Sequence, residues 1–263
     1  TWQKITNGLP AGVYVHSVKE DPQRRGLFVC GTERGAFLSF DDGDSWQPLQ
    51  RDLSVTSVRD FEFYENDLIV ATHGRGFWVI DDISALRQAT DAIVKADVYL
   101  FKPADAINAQ QGGDNGTPLQ KDEPQAPNPP NAAYIDYYLR SPANGPVTVE
   151  VLDSAGGVVA VHSTDPSRQQ PQGGGRGGFG GGRQGGIPNT SPLWRTPPEP
   201  MSGAAGMHRV TWNLTPAGGG FGGGGGGRGG AEAPPIVGNY TVRLTANGKT
   251  LTQPITVRAE PKR

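Results

Sequence analysis

Short apolar runs separated by turn residues fill the first 101 positions of the chain. Within each run apolar and polar side chains alternate, which predicts β-strands with one buried face. These runs lie at residues 13–18, 26–30, 36–40, 46–49, 58–64, 68–71 and 77–80. A short helix is expected at about residues 83–90, because Asp82 can cap it. The next run, 98–101, is predicted to be an outer strand of this domain or to run along its side.

A second group of alternating runs begins after residue 132. Its members lie at residues 134–139, 147–152, 158–161, 208–214, 239–244 and 251–257. The last two are joined by Asn247 and Gly248, a dipeptide that favours a two-residue β-hairpin. Several short strands separated by such turns are typical of an immunoglobulin-like or fibronectin-like β-sandwich.

The chain is therefore predicted to have three parts: a β-rich domain at 1–101, a linker rich in Pro, Gly and Asn at 102–132, and a β-sandwich at 133–263. Two Gly-rich insertions, at 165–206 and 216–236, interrupt the sandwich. We expect them to be flexible surface loops.

The Gly-rich insertions could alternatively form a nucleic-acid-binding tail of the RGG type. Three arginines support that hypothesis, namely Arg176, Arg183 and Arg228. Their surroundings are not basic, and the net charge of −2 gives no reason to expect nucleic acid or an anionic membrane as a partner.

The composition of the chain limits which thiol, membrane and metal chemistry can be predicted. The 39 glycines and 23 prolines account for most of the low hydrophobic content of 35%. Cys30 lies in an apolar run and is expected to be a buried thiol. No apolar run reaches the roughly 18 residues of a membrane span. The sequence also contains no metal-ligand cluster and no cofactor motif, so neither a metal nor a cofactor is predicted.

The most specific motif lies at residues 39–46. It reads SFDDGDSW and matches the pattern S-x-D-x-G-x-[ST]-W without a gap. Its fixed positions are Ser39, Asp41, Gly43, Ser45 and Trp46. We expect Asp41 to accept backbone N–H groups of a tight turn, Gly43 to supply a permissive backbone, and Trp46 to pack over the hairpin. Because these groups are needed to hold the turn, the predicted role is structural rather than catalytic.

Parts of the motif recur along the chain at about the length of one four-stranded repeat. Residues 1–5 resemble residues 45–49, which lie 44 positions later. We interpret the start of the chain as the last strand of a preceding repeat. Residues 77–82 align with 37–42 at an offset of 40 and are interpreted as a third copy that has lost the Ser, Gly and Trp.

These features resemble bacterial β-propeller proteins of the Asp-box family (BNR repeats, sortilin type), many of which are labelled glycosyl hydrolases. The motif at 39–46 and the run THGRGFWVIDD at 72–82 carry the resemblance over residues 1–101, and 238–257 is similar to the immunoglobulin-like module that ends such proteins. The resemblance implies an all-β fold in which terminal propeller blades precede an immunoglobulin-like sandwich. It also implies a bacterial protein that is secreted, periplasmic or on the cell surface.

Four polar turn residues are the candidate ligand-binding groups. Glu33 and Arg34 follow the second strand of one repeat, and His73 and Arg75 follow the second strand of the next. In a propeller these turns lie on the face that usually binds ligands. Arg34 and Arg75 could fork onto a carboxylate, as the arginine cluster of sialidases does. The alternative is that both arginines form ion pairs with neighbouring acidic residues and that His73 is an ordinary turn residue.

No catalytic residue is predicted. Glycoside hydrolysis needs two carboxylates at a defined separation across a cleft. The candidates Asp41, Asp42, Asp81 and Asp82 form adjacent pairs. Side chains of adjacent strand residues point to opposite faces, so neither pair provides that arrangement.

The expected function is therefore binding or structural. We expect the propeller face to recognise a peptide or glycan, and the sandwich to mediate extracellular attachment or assembly. Two alternatives stay open: a fragment of a sialidase-like or xyloglucanase-like hydrolase whose catalytic residues lie in missing blades, and a self-assembling extracellular fibre subunit. Repeats bury their faces only against neighbours, so the expected partners are missing N-terminal blades or other copies of the chain.

Overall fold

The computed structural model describes residues 2–49, 53–109, 130–168, 200–214 and 236–261. The chain divides into two compact units, Thr1–Lys95 and Ala96–Arg263. Both are built mainly from antiparallel β-sheets, which confirms the predicted all-β class. Most of the insertions predicted at 165–206 and 216–236 lies outside the described residues, as does most of the linker predicted at 102–132.

The first unit contains two β-sheets and two short helices. Its strands are β1 (Val15–Glu20), β2 (Phe28–Thr32), β3 (Gly35–Ser39), β4 (Gln47–Pro48), β5 (Val58–Tyr64), β6 (Asp67–Thr72) and β7 (Phe77–Ile80). The helices are α1 (Ser84–Gln88) and α2 (Asp91–Lys95). The sheets have the strand orders β1-β2-β3-β4 and β5-β6-β7, so a strand is present at each of the seven predicted positions.

Two local predictions for this unit have different outcomes. Residues 2–6 form no strand, because no described strand pairs with them. The short helix predicted at about 83–90 is confirmed as α1, which ends where the backbone of Ala89 becomes extended (ψ 122°), and α2 follows it.

The two sheets repeat one architecture. The first strand of each carries a β-bulge near its start, opposite Thr32 in β2 and opposite Thr72 in β6. The hydroxyl of each threonine donates to the carbonyl of the glycine that ends the next turn, at 3.0 Å to Gly35 and at 2.7 Å to Gly76. Thr32 and Thr72 are therefore equivalent positions in the two repeats.

The turn between β6 and β7 is one residue longer than the turn between β2 and β3. As a result, pairing with β6 places Phe77 at the position that Ala36 occupies in the first sheet. The counterpart of Phe37 is then Trp78. The predicted alignment at an offset of 40 is therefore wrong by one position in β7, because the longer turn shifts the strand.

The two sheets stack face to face, and their first strands, β1 and β5, run in the same direction. The core between them combines Leu27, Val29, Ala36 and Leu38 of the first sheet with Val58, Phe61, Leu68 and Val70 of the second. Trp78 packs against this core, whereas its counterpart Phe37 lies on the far face of the first sheet, beside Cys30 and Trp46. The face of the second sheet that corresponds to the far face of the first sheet therefore packs on the near face of the first sheet.

The outer face of the second sheet is apolar and open. The counterparts of Val29, Ala36 and Leu38 on this face are Ile69, Phe77 and Val79. Phe77 is 79% exposed and Val79 is 51% exposed, whereas the three counterparts in the first sheet are buried.

A buried ion pair ties α1 to the loops of both sheets. Arg87 Nε lies 2.8 Å from Asp21 Oδ2, and the two side chains are 9% and 0% exposed. The same guanidinium donates to the Glu65 carbonyl at 2.9 Å and to Asn66 Oδ1 at 2.8 Å. Arg24 donates to two carbonyl groups at the end of α1. These contacts hold the helix against the sheets. Loss of either partner would leave a buried charge unpaired and would be strongly destabilising.

The described residues of the second unit form two further sheets. Its strands are β8 (Val98–Leu100), β9 (Ala106–Asn108), β10 (Ala132–Leu139), β11 (Thr148–Leu152), β12 (Val158–Ser163), β13 (Gly206–Asn213), β14 (Gly238–Ala246) and β15 (Lys249–Ala259). The strand orders are β13-β10-β8 and β12-β11-β14-β15-β9. Apolar residues of both sheets pack into one core, which includes the fully buried Tyr137, Val149 and Leu244.

Two strands lie outside the sandwich bounds predicted from sequence. The run at 98–101 forms β8, which pairs with β10 of the second unit instead of joining the first domain. β9 lies inside the predicted linker and pairs in parallel with the end of β15. The boundary between the units falls at Lys95, before residue 101, because β8 finds its hydrogen-bonding partner in β10.

The hairpin predicted at Asn247 and Gly248 is confirmed. Ala246 pairs with Lys249, which leaves a two-residue loop between β14 and β15. Asn247 and Gly248 have φ angles of 50° and 72°, the left-handed pair that the tightest β-hairpins require.

A buried amide links four places in the second unit that are distant in sequence. Asn108 Nδ2 donates to the carbonyls of Leu214 and Ile236, at 3.2 Å and 3.1 Å. Its Oδ1 accepts from Asn131 Nδ2 at 2.8 Å, and Asn131 Oδ1 accepts the N–H of Ala109 at 3.2 Å. The backbone at these five residues is therefore held at one place.

We predict that Asn108→Asp destabilises the protein more than Asn108→Ala. The carboxylate keeps the shape of the amide but cannot donate to the two carbonyls, and it is charged in a site that is only 8% exposed. Each variant should lose about 1–3 kcal/mol of unfolding free energy, with Asp at the upper end. Denaturant unfolding measures both values, and Asn144→Ala at an exposed position is the control. An Asn108→Asp variant as stable as the parent would contradict the assigned network.

Candidate functional site

The turn after β3 is closed by the side chains of the motif. The Ser39 hydroxyl accepts the N–H of Gly43 at 2.9 Å and donates to Asp41 Oδ1 at 2.7 Å. The Asp41 carboxylate accepts the N–H of Ser45 at 2.9 Å and its hydroxyl at 2.5 Å. Asp41 therefore satisfies a backbone group of the turn, as its place in the motif predicts.

Trp46 holds the other side of this turn. Its indole Nε1 donates to the Ile5 carbonyl at 3.0 Å, and its backbone N–H donates to the Asn7 carbonyl at 2.8 Å. The side chain is 6% exposed and packs against the first sheet. Gly43 has a φ of 87°, a backbone conformation that residues with a Cβ rarely adopt, so a substitution there would be strained.

Hydrogen bonds lower the pKa of Asp41. The largest contribution comes from the Ser45 hydroxyl, and the Ser45 N–H and the Ser39 hydroxyl act in the same direction against a burial effect. A carboxyl group with a lowered pKa stays ionised at neutral pH and is a poor general acid. The geometry of the motif therefore favours a structural role.

The segment after β7 keeps part of the same geometry. Asp82 has a φ of 50° and Asp42 a φ of 59°, both in the left-handed region. The N–H of Asp82 donates to Asp67 Oδ1 at 2.9 Å, whereas that of Asp42 donates to the Gly26 carbonyl at 3.2 Å. Asp82 then accepts the N–H of Ser84 at 2.9 Å and leads the chain into α1.

The predicted ligand-binding residues lie on two turns with matching anchors. The N–H of Glu33 donates to the Tyr14 carbonyl at 3.2 Å, just before β1. The N–H of His73 donates to the Ser57 carbonyl at 2.8 Å, just before β5. Each turn is thus fixed to the segment that enters the first strand of its own sheet.

Both turns lie at the same end of the stacked sheets. Ser17 donates to Asp60 at 3.0 Å and Lys19 donates to Glu62 at 3.2 Å. These contacts advance together along β1 and β5, so the two strands run in the same direction. The turn after β2 and the turn after β6 therefore face the same way, and the motif turn after β3 lies at the opposite end.

The side chains at this end face solvent. The Arg34 side chain is 71% exposed, and its Nε lies 3.9 Å from the carboxylate of its neighbour Glu33. His73 and Arg75 are exposed on the second turn. The structure thus brings Arg34 to Glu33 within one turn and places His73 and Arg75 on a separate turn at the same end.

Tyr14 is a further candidate that the sequence pattern did not reveal. It is 71% exposed, and its carbonyl anchors the Glu33 turn. The alternating pattern placed Tyr14 inside the strand predicted at 13–18, but β1 begins at Val15, so Tyr14 lies just before it. Guanidinium groups and an exposed aromatic ring at one end suit a ligand that carries a carboxylate or a sugar ring.

Other chemistry is limited in the described residues. They contain no group of His, Cys, Asp and Glu side chains arranged to hold a metal ion. Burial raises the pKa of Cys30 to about 11, so its thiol stays protonated at neutral pH. Burial also lowers the pKa of His162. None of the helices described is long and apolar enough to span a bilayer.

Comparisons with protein-family models, with curated proteins and with solved structures found no match to this chain. The class of the protein is therefore inferred from its own residues. The closed motif turn and the two turns at the opposite end are the features that carry this inference.

We predict that Asp41→Ala lowers the unfolding free energy by about 1–2 kcal/mol, because it leaves N–H and O–H donors of the turn without their acceptor. Thermal or denaturant unfolding measures the loss. Asp44→Ala is the matched control, since Asp44 reaches Asp41 only through its backbone N–H in the described contacts, and that group is retained. A strong loss of ligand affinity with an unchanged melting temperature would show that Asp41 has a binding role instead.

The stabilisation from Asp41 should depend on pH. Because its pKa is lower in the folded chain than in the unfolded chain, the contribution is complete at neutral pH and is lost as the pH falls below about 4. The difference in unfolding free energy between the parent and Asp41→Asn should therefore shrink in acid. Denaturant unfolding between pH 7 and pH 3 tests this, and a difference that grows in acid would contradict it.

Proposed function

We propose that residues 1–95 are the terminal blades of an Asp-box β-propeller and that the second unit is an immunoglobulin-like module. We further propose that the chain is a non-catalytic binding and structural part of a secreted bacterial protein. In this proposal the strand-end turns with Arg34 and Arg75 recognise an acidic glycan or peptide, and the second unit serves attachment or assembly.

The observation that carries the proposal is the stacking of the two sheets with the same polarity. Propeller blades pack face to opposite face around an axis, and the first sheet here is covered by the opposite face of the second. The inner strands β1 and β5 run side by side in one direction. The hydrogen-bonded Ser39 and Asp41 turn supports the assignment to Asp-box repeats in particular.

The position of the exposed basic residues favours binding over catalysis. Arg34 and Arg75 emerge at the same end of their sheets from turns whose backbones are anchored. Anchored turns present their side chains at reproducible positions, which lowers the entropy cost of binding. The Asp41 carboxylate of the motif lies at the other end and is already hydrogen-bonded.

We expect Arg34→Ala and Arg75→Ala each to weaken binding of a sialoside probe without changing the melting temperature. An arginine that forks onto a carboxylate contributes about 1.5–3 kcal/mol, which corresponds to roughly ten- to hundredfold in affinity. Calorimetry or glycan-array binding measures the change. Arg25→Ala is the matched control, because Arg25 is exposed in the loop after β1, at the far end of the sheet. Equal losses for all three variants would indicate only non-specific charge attraction.

Purified protein should show no hydrolysis of sialoside or β-glucan substrates. The motif carboxylate Asp41 is engaged by the N–H and hydroxyl of Ser45 and has a lowered pKa, so it is a poor general acid for the reaction. Sensitive fluorogenic substrates measure this directly. Turnover that survives purification, and that is lost in an acidic-residue variant of this chain, would overturn the non-catalytic assignment.

A further inference from the structure

The outer edge of β7 is unpaired in the part of the chain that the structure describes. β7 pairs with β6 on one side only, at the end of the order β5-β6-β7. In the first sheet the equivalent edge of β3 is occupied by β4, which pairs Gln47 with Leu38 and Pro48 with Phe37. The N–H of Leu49 continues this pairing to the Ala36 carbonyl at 2.9 Å. Among the described residues, no strand takes the corresponding fourth position of the second sheet.

The missing strand has a counterpart elsewhere in the sequence. Trp2, Gln3 and Ile5 match Trp46, Gln47 and Leu49 at a spacing of 44 residues. In the structure these N-terminal residues form no strand, and Trp2 is 100% exposed. Residues 2–5 resemble β4 in sequence, and the outer edge of β7 corresponds to the edge of β3. In the described part of the chain neither of them has a strand partner.

The correspondence between the two sheets gives the register in which residues 2–5 would pair with β7. Val79 is the counterpart of Leu38 and Phe77 is the counterpart of Ala36, so Gln3 would lie opposite Val79 and Ile5 opposite Phe77. The N–H of Ile5 would then take the Phe77 carbonyl, as Leu49 takes that of Ala36. An antiparallel strand added in this register supplies backbone hydrogen bonds to the edge and covers the exposed Phe77 with an aliphatic side chain.

We propose that residues 2–5 of one copy of this chain add to β7 of a second copy as its fourth strand. We assign the partner to a second copy because, among the described residues, Trp2 and Phe77 are 100% and 79% exposed and residues 2–5 pair with no strand. The Ile5 carbonyl of the same chain also accepts Trp46 Nε1 beside the first sheet. An exposed apolar edge strand is a template for such pairing between chains. This inference is independent of ligand binding at Arg34 and Arg75.

Mixed cysteine variants test the register. Gln3→Cys is mixed with Val79→Cys, and in a control with Val18→Cys, whose 48% exposure matches the 51% of Val79. Cys30 is buried and its pKa is raised, so it does not compete for oxidation. We expect a disulfide-linked dimer in the first mixture and not in the control. Equal trapping in both mixtures would overturn the proposal, as would an intrachain disulfide in the Gln3→Cys, Val79→Cys double variant at high dilution.

Sedimentation of the unmodified chain gives an independent readout. The chain should associate with increasing concentration, and Trp2→Ala or Phe77→Ser should each weaken association by roughly tenfold or more. Both side chains are exposed in the single chain, so the variants are expected to fold normally, which circular dichroism checks. A chain that remains monomeric at high concentration would overturn the proposal. Association that Arg34→Ala abolishes would assign the contact to the ligand-binding end instead.

Discussion

A β-sheet with apolar residues on both faces must be covered twice, and the first sheet of this protein is organised by that requirement. The second sheet buries Val29 and Leu38 on one side, while Trp46 and Leu9 cover Cys30 on the other. The approach of the sheets is close. A Cβ at Gly31 would lie 2.8 Å from the Val58 carbonyl oxygen, so a larger residue would push the sheets apart. Covering one sheet in this way brings a second sheet into a defined orientation, and that orientation sets the positions of the turns.

Because corresponding strands of the two sheets run in the same direction, the closed motif turn and the exposed arginine turns lie at opposite ends of the sheets. One end holds the turn closed by Ser39 and Asp41, whose polar groups are engaged with one another. The other end presents Arg34 and Arg75 on short anchored turns. A change in the exposed turns therefore need not disturb the hydrogen bonds that close the hairpin. Such separation of a stable scaffold from variable turns is common in β proteins that bind ligands.

Local pattern predicted most of the first unit and less of the second. The strands of both sheets, the motif turn and the Asn247 hairpin could be placed because each depends on residues close together in sequence. β8 and β9 could not be assigned correctly, because their partners β10 and β15 are distant in sequence and no local signal identifies a partner. The shift of Phe77 to the outer face follows from one additional residue in the preceding turn, since a one-residue slip reverses the faces of a strand. The exposure of Tyr14 depends on where β1 begins, which alternation of residue types does not determine.

The amide of Asn108 has a consequence for the chain segments that it bounds. Its contacts bring Ala109 beside Asn131 and Leu214 beside Ile236, although the members of each pair are 22 positions apart in the sequence. When the ends of a segment are held by the fold, the entropy cost of closing it grows only with the logarithm of its length, and doubling the length costs about 0.6 kcal/mol. The hydrogen bonds of one amide therefore offset the closure cost at both places, and a substitution at Asn108 weakens both closures together.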